Sequence, residues 1–90
     1  MAKVLVKYSH KFLKQYYRLS PKLQKQSQAR LFLWLNEPCH PQLRLHMLTG
    51  RLSGYYSINI TGDIRALYKK LDDAHVIFES IGTHSELYGK

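Results

Sequence analysis

Residues 55–70 read YYSINITGDIRALYKK, and this stretch decides the fold. Apolar and polar side chains alternate along Tyr55–Ile60, and the alternation resumes along Ile64–Lys70. A period of two residues is typical of a strand with one buried face. Thr61-Gly62, between the two runs, is a tight-turn signal. The stretch therefore predicts a β-hairpin.

Further strand-like runs flank this hairpin. Upstream, residues 43–48 place Leu43, Leu45 and Met47 in alternation with their neighbours. Downstream, Asp72-Asp73 predicts a turn and His75–Ile81 predicts another strand. Gly82 is expected to break that strand, which leaves Thr83–Lys90 as a short tail.

The N-terminal part of the chain predicts a short strand, Lys3–Tyr8, and then two helices. Ser9 suits the N-cap of a helix from about His10 to Leu19. Ser20-Pro21 repeats the start signal, with serine at the N-cap and proline at the first helical position. The second helix is expected to end near Asn36, because the prolines that follow cannot continue it.

These elements predict an α+β fold with the order β-α-α-β-β-β. We expect a small antiparallel twisted sheet, joined by hairpin connections, with the N-terminal α-helical hairpin packed on one face. A chain of 90 residues is too short to bury two cores, so we expect one domain over residues 1–90.

Composition narrows the class of protein. An apolar fraction of 44% and a charged fraction of 22% are typical of a folded protein. The longest uncharged apolar run, Leu31–Leu35, is far too short to span a bilayer, and residues 1–4 begin no secretory signal. Cys39 is the single cysteine, which excludes an intrachain disulfide. We therefore expect a cytoplasmic protein that does not act in a membrane.

The positive charge is concentrated in the first part of the chain. The net charge is +8, and eight basic residues precede the first acid, Glu37. They are Lys3, Lys7, Lys11, Lys14, Arg18, Lys22, Lys25 and Arg30. One interpretation is a solvated helix face, and the other is a surface that meets a polyanion or an acidic protein. The sequence leaves both open.

The large enzyme classes leave no signature here. The five histidines do not form a helical pair four residues apart, and Cys39-His40 has no partners at zinc spacing. There is also no glycine-rich phosphate loop and no Gly-x-Ser-x-Gly elbow. We expect neither a metal nor a cofactor.

What remains is a set of polar residues in the second half of the chain: His46, Asp63, Arg65, His84 and Tyr88. Such a set suits metal-independent cleavage of RNA, in which the 2′-hydroxyl attacks its own phosphate with the help of a base, an acid and a cation. Histidine is suited to proton transfer, arginine to phosphate, and tyrosine to base stacking. Each residue also has an ordinary structural interpretation, and on residues alone the chain is a basic α+β domain that binds an anion.

Two motifs resemble a known family. Gly62-Asp63-Ile64-Arg65-Ala66-Leu67-Tyr68 and Ile81-Gly82-Thr83-His84-Ser85-Glu86-Leu87-Tyr88 are similar to the RelE/ParE toxin superfamily, in its RelE/StbE and YafQ-like branch. The resemblance extends over the whole chain and is strongest from His46-x-Leu48-x-Gly50 onward.

The resemblance implies a RelE-like fold and a bacterial type II toxin. Members of this branch are ribosome-dependent endoribonucleases that cleave mRNA in the A site, and each is neutralised by a cognate antitoxin. It implies a catalytic set of His84, Asp63, His46, Arg65 and Tyr88. It also implies ribosomal RNA contacts by Lys7, Lys11, Lys14, Arg18, Lys22, Lys25, Arg30, Arg51 and Lys69.

The chain departs from the YafQ-like pattern at two positions. Asn59 stands where that pattern has a histidine, and Ile64 stands where some members have tryptophan. Two alternatives to the nuclease therefore stay open: a ParE-like inhibitor that binds DNA gyrase without RNA chemistry, and a decayed toxin that only binds its antitoxin.

Overall fold

The computed structural model describes residues 4–88, so the first residue of the predicted strand Lys3–Tyr8 and the last two of the tail lie outside it. The strands are β1 (Leu5–Tyr8), β2 (His46–Met47), β3 (Tyr56–Asn59), β4 (Ile64–Lys70) and β5 (His75–Thr83). The helices are α1 (His10–Arg18), α2 (Pro21–Asn36) and α3 (His84–Tyr88), with single 3₁₀ turns at Pro41–Leu43 and Gly50–Leu52. The strands form one sheet in the order β1-β5-β4-β3-β2.

The predicted α+β class is confirmed, and the sheet differs from the prediction in one pairing. Strands β2 to β5 form antiparallel neighbours, whereas β1 pairs with β5 in parallel. A tight turn makes successive strands antiparallel, but β1 is joined to β2 through two helices. It is therefore free to pair with the last strand, and the sheet is mixed.

Both serine caps are confirmed at the start of the helices. The Ser9 hydroxyl accepts a hydrogen bond from the Phe12 amide at 2.9 Å, and Ser20 does the same for Leu23 at 3.2 Å. Each bond satisfies one of the amides that the first turn of a helix leaves without a partner.

The hydrophobic core lies between the helices and one face of the sheet. Phe12 of α1 and Trp34 of α2 both contact Phe78 of β5, with ring centroids 5.8 Å and 5.0 Å apart. Trp34 also meets the ring of Tyr68 on β4, at 5.1 Å. All four side chains are buried. One aromatic cluster therefore holds both helices against the same sheet face, which leaves the other face uncovered by them.

A β-bulge at Glu79 changes which residues of β5 face the core. Leu67 of β4 pairs with Ser80, but the next residue, Tyr68, pairs with Phe78, so Glu79 is an extra residue. Phe78 and Ile81 consequently both belong to the core although they are three residues apart. The bulge therefore places Ser80 and Gly82 on the face that points away from the helices, and it keeps Ile81 on the core face.

Helix α1 binds the backbone groups that the bulge frees. The Ser9 hydroxyl donates to the Glu79 carbonyl at 2.7 Å, and the Ile81 amide donates to Gln15 Oε1 at 2.9 Å. These contacts join residues that are 70 and 66 positions apart in the chain. Helix α1 therefore fixes both the position and the direction of the bulge.

Two further predictions are wrong in detail. The run at residues 43–48 forms only the two-residue strand β2, because Pro41 begins a 3₁₀ turn that Arg44 ends in the left-handed conformation. With β2 counted, four strands follow the helices, whereas the predicted order has three. Gly82 does not break β5, which pairs with β4 as far as Thr83, and the expected tail contains α3.

The double role of Ser9 gives a stability prediction. Ser20→Ala removes only an N-cap and is expected to lower the free energy of unfolding by about 1 kcal/mol. Ser9→Ala also leaves the Glu79 carbonyl without its donor, so the loss should reach about 2–3 kcal/mol. Urea denaturation of the two variants measures the difference. Equal losses would show that the hydroxyl does not stabilise the bulge.

Candidate active site

Several polar side chains lie on the sheet face that α1 and α2 leave free. Strand register aligns His46 on β2, Ser57 on β3 and Leu67 on β4, and the next row contains Asn59, Arg65 and Gly82. These positions alternate with the core residues Ile58 and Ala66, so they face away from the helices. Strand pairing therefore brings together residues that are up to 36 positions apart in the chain.

A capping box begins α3 at the end of β5. The Thr83 hydroxyl accepts from the Glu86 amide at 3.2 Å, and Glu86 Oε1 accepts from the Thr83 amide at 2.8 Å. These reciprocal bonds turn the chain from strand to helix immediately after Gly82. His84 consequently occupies the first position of α3, at the edge of the free sheet face.

Tyr88 connects α3 back to the sheet. Its hydroxyl donates to Ser57 Oγ at 3.0 Å. Its ring lies edge-on to the imidazole of His84, four residues earlier, with ring centroids 4.3 Å apart. One turn of helix and one hydrogen bond therefore position the histidine over β3.

A cavity of about 470 Å³ lies among these elements. Four residues of the set expected from the sequence line it: His46, Arg65, His84 and Tyr88. The remaining lining residues are Arg44, Leu48, Thr49, Leu52, Ser57 and Asn59. Two imidazoles, two guanidinium groups and an aromatic ring thus surround one open space, and the lining contains no carboxylate.

The Arg65 guanidinium is oriented by the turn that precedes its strand. Its Nη1 donates to the Gly62 carbonyl at 3.0 Å, with a longer contact of 3.4 Å to the Thr61 carbonyl. A guanidinium has five N–H donors, so most of them are left for an anion in the cavity. The contact to the turn limits the directions in which those donors point.

The structure does not bring Asp63 to the cavity. Asp63 is exposed in the turn before β4 and is absent from the residues that line the space. Asn59, which replaces a histidine of the YafQ-like pattern, does line it. The position expected from the resemblance is therefore in the site, with a side chain that forms hydrogen bonds but does not transfer protons.

Sequence reasoning missed three polar residues of the cavity, which are Arg44, Thr49 and Ser57. Ser57 has a signal in the sequence, since it alternates with Ile58 on β3 and is buried beneath Tyr88. Arg44 has none, because it reaches the cavity through a left-handed backbone, with φ 48°, at the end of a 3₁₀ turn. Backbone conformations of this kind are uncommon outside glycine and asparagine.

The cations expected to contact RNA divide between two sides of the molecule. Those of α1 and α2 are mostly exposed on the helices, and His10, Lys11, Lys14, Gln15 and Arg18 line a groove of about 340 Å³ there. Arg51 is exposed beside Leu52 at the cavity. Lys69 is already engaged, with its Nζ 3.9 Å from Glu79 Oε2 and 5.4 Å from the centroid of the Tyr55 ring.

Tyr8, Tyr68 and Asp72 have shifted pKa values. Burial raises the pKa of Tyr8 and of Tyr68. A hydrogen bond from His75, at 2.7 Å, lowers the pKa of the exposed Asp72 carboxyl in the turn between β4 and β5.

Among residues 4–88, no three His, Cys, Asp or Glu side chains come together in a group that could hold a metal ion. The helices in the same part of the chain include none with the length and apolar character needed to cross a membrane.

Comparison with known proteins identifies the family. Residues 4–89 match the family model described as the bacterial toxin of the type II toxin–antitoxin system, YafQ. A search of curated proteins found no match.

Solved structures of toxins share the fold. YafQ from E. coli strain BL21(DE3) has a TM-score of 0.81 at 24% identity, covering 97% of this chain and 100% of that one. YafQ in the E. coli DinJ–YafQ toxin–antitoxin complex has a TM-score of 0.79 at 24% identity, covering 97% and 99%. The RelBE2 toxin–antitoxin complex of Mycobacterium tuberculosis has a TM-score of 0.74 at 20% identity, covering 92% and 100%. The expected RelE-like fold is confirmed.

Gly82 gives a local prediction for the start of α3. A Cβ at this position would lie 2.7 Å from Glu86 Oε1, so Gly82→Ala must displace the carboxylate that caps Thr83. The Glu86 side chain is flexible, and we therefore expect global stability to change little. The Thr83 amide should exchange with solvent about fivefold faster, which corresponds to about 1 kcal/mol for a lost cap.

Gly62→Ala is the matched control, because a Cβ at Gly62 meets nothing within 4 Å. Hydrogen exchange measured by NMR compares the two variants. An unchanged exchange rate at Thr83 in Gly82→Ala would contradict a capping role for Glu86.

Proposed function

The chain belongs to the YafQ toxin family of type II toxin–antitoxin systems, and on that premise we propose that it is a ribosome-dependent endoribonuclease. It cleaves mRNA in the ribosomal A site, without a metal ion, and so inhibits translation. The observation that carries this proposal is the meeting of His46, Arg65, His84 and Tyr88 in one cavity. These residues come from three separate segments of the chain, and each supplies a group that RNA cleavage requires.

The proposed reaction uses the RNA's own 2′-hydroxyl as the nucleophile. Its oxygen attacks the adjacent phosphorus and loses a proton to a general base, while the 5′-oxygen leaves and gains a proton from a general acid. His46 and His84 both line the cavity and together supply the base and the acid. Asp63 lies outside the lining and takes no part in these steps.

Arg65 stabilises the charge that develops on the phosphoryl oxygens. Its guanidinium has donors in a planar fork that suits two phosphate oxygens at once. The bond to the Gly62 carbonyl holds that fork in place before substrate binds, and a donor that is already oriented is worth most in the transition state.

Tyr88 and Asn59 position the RNA. The edge-on contact to His84 and the bond to Ser57 fix the Tyr88 ring, against which an unpaired base can stack. Asn59 donates or accepts a hydrogen bond at the position where other members have a histidine. Because two other histidines line the cavity, the Asn59 replacement does not remove proton transfer from the site.

Ribosome dependence is supported by the placement of the cations. The exposed lysines of α1 and α2 lie on the helix side of the sheet, away from the cavity. A short mRNA segment in the cavity cannot reach them, whereas ribosomal RNA is large enough to contact both sides of the toxin. Phosphate contacts of this kind supply affinity without sequence preference.

The second proposed partner is a cognate antitoxin, as in the toxin–antitoxin complexes of the relatives. Tyr17 on α1 and Phe32 on α2 are 70% and 69% exposed. Large exposed aromatic side chains beside exposed lysines suit a protein that covers them with apolar and acidic groups. We propose that toxin, antitoxin and ribosome meet in the cytoplasm.

Cleavage of a translated mRNA in a cell-free system tests the proposal. Wild type is expected to produce cuts only when ribosomes are present. His84→Ala should lower the cleavage rate by about 10²–10⁴, the contribution of one acid–base group. His75→Gln is the matched control, since His75 lies at the opposite end of β5 and contacts Asp72.

Two results would contradict the nuclease. Absence of cuts with wild type, combined with toxicity in cells and a DNA-damage response, would support the gyrase inhibitor. Absence of both cuts and toxicity, with antitoxin binding retained, would indicate a decayed toxin.

A further inference from the structure

We propose that a second cavity, beside the candidate active site, is a phosphate subsite made by Arg30, Arg44 and Arg65. It holds the phosphodiester next to the one that is cleaved. This inference rests on the proposed function, because it assigns a further part of the same RNA substrate to the protein.

The two cavities adjoin one another. The second has a volume of about 340 Å³ and is lined by Arg30, Gln42, Arg44, Asn59, Ile60, Thr61, Gly62 and Arg65. Arg44, Asn59 and Arg65 also line the candidate active site. A chain that leaves the first cavity past these shared residues enters the second directly.

The charge of the second cavity is entirely positive. Three guanidinium groups and no carboxylate line it. Among residues 4–88, the ion pairs are Lys69 with Glu79 and His75 with Asp72, so no acid there neutralises the three arginines. Like charges around one space repel each other, and an anion between them removes that repulsion.

Arg44 adopts a backbone conformation that non-glycine residues avoid. Its φ of 48° and ψ of 52° are left-handed, and its amide donates to the Pro41 carbonyl to close the 3₁₀ turn. Glycine or asparagine would occupy this conformation at lower cost. The arginine at this point places a guanidinium between the two cavities, and strain of this kind is characteristic of functional sites.

Arg30 and Arg65 are oriented by backbone carbonyls of two separate segments that line the cavity. Arg30 Nη1 donates to the Gln42 carbonyl at 3.3 Å, and Arg65 Nη1 donates to the Gly62 carbonyl at 3.0 Å. Each bond uses one donor and leaves the rest of the fork free. Guanidinium groups held in this way suit the oxygens of a phosphodiester.

Binding of an uncleavable RNA tests the subsite independently of cleavage. The probe is a fluorescent single-stranded RNA hexanucleotide of mixed sequence with every ribose 2′-O-methylated. Its affinity for wild type is measured by anisotropy over a range of salt concentrations, and the slope of log affinity against log salt reports the number of phosphates contacted.

Arg44→Gly removes the guanidinium and keeps a residue that accepts the left-handed backbone. We expect it to bind the RNA about tenfold more weakly, with a salt slope smaller by about 0.7, which is one phosphate contact on a single strand. Arg30→Gln should give the same two changes. Arg44→Lys should retain the wild-type slope, because the charge remains.

Lys70→Gln is the control for loss of one positive charge elsewhere. Lys70 is exposed on β4, where it lies over the Tyr56 ring and away from both cavities. It should leave the slope unchanged, and thermal unfolding checks that every variant is folded.

Wild-type slopes in both Arg44→Gly and Arg30→Gln would overturn the subsite while leaving the nuclease intact. Failure of wild type to bind the RNA at low salt would overturn it as well. If wild type binds RNA through Arg44 and Arg30 but cuts no translated mRNA, the subsite stands and the nuclease fails.

Discussion

The β-bulge at Glu79 is the constraint on which the rest of the structure depends. One extra residue in β5 lets Phe78 and Ile81 both face the helices, and it places Ser80 and Gly82 on the opposite face. Without it, strict alternation would place Ser80 in the core and Ile81 on the polar face. Ser9 and Gln15 of α1 hold the bulge through its backbone, so the helix on one face sets the geometry of the site on the other.

The two faces of the sheet separate stability from chemistry. Phe12, Trp34, Tyr68 and Phe78 hold the helices and form the core, and none of them lines the candidate active site. The polar face carries His46, Arg65 and His84 around an open space. A small domain is only marginally stable. Because the two faces are separate, like-charged arginines and exposed histidines lie together without destabilising the core. It also places the lysines of α1 and α2 on the side where a large partner can reach them.

Local signals in the sequence predicted α1, α2 and the central hairpin, and the choice of polar residues included His46, Arg65, His84 and Tyr88, which line the cavity. Ser9, Ser20 and the alternation of residues 55–70 act through neighbours in the chain, so they can be read without a structure. The same polar set included Asp63, which does not line the cavity, and the resemblance added Asn59, which does. The bulge, the parallel pairing of β1 and the left-handed Arg44 depend on contacts between distant segments or on backbone geometry. Helix α3 could have been predicted, because Thr83-x-x-Glu86 is a capping box. The interpretation of Gly82 as a strand breaker treats the residues after it as a tail, and it therefore does not use this motif.

The central claim is that the cavity cleaves RNA by attack of the 2′-hydroxyl, with histidines transferring the protons. The chemical ends of the cleaved mRNA test it most directly. The account predicts a 2′,3′-cyclic phosphate on the upstream fragment and a 5′-hydroxyl on the downstream fragment, with no cut where the attacking ribose carries a 2′-O-methyl group. A 5′-phosphate on the downstream fragment would mean that water, and not the ribose, attacks the phosphorus, and it would contradict the roles assigned to His46 and His84.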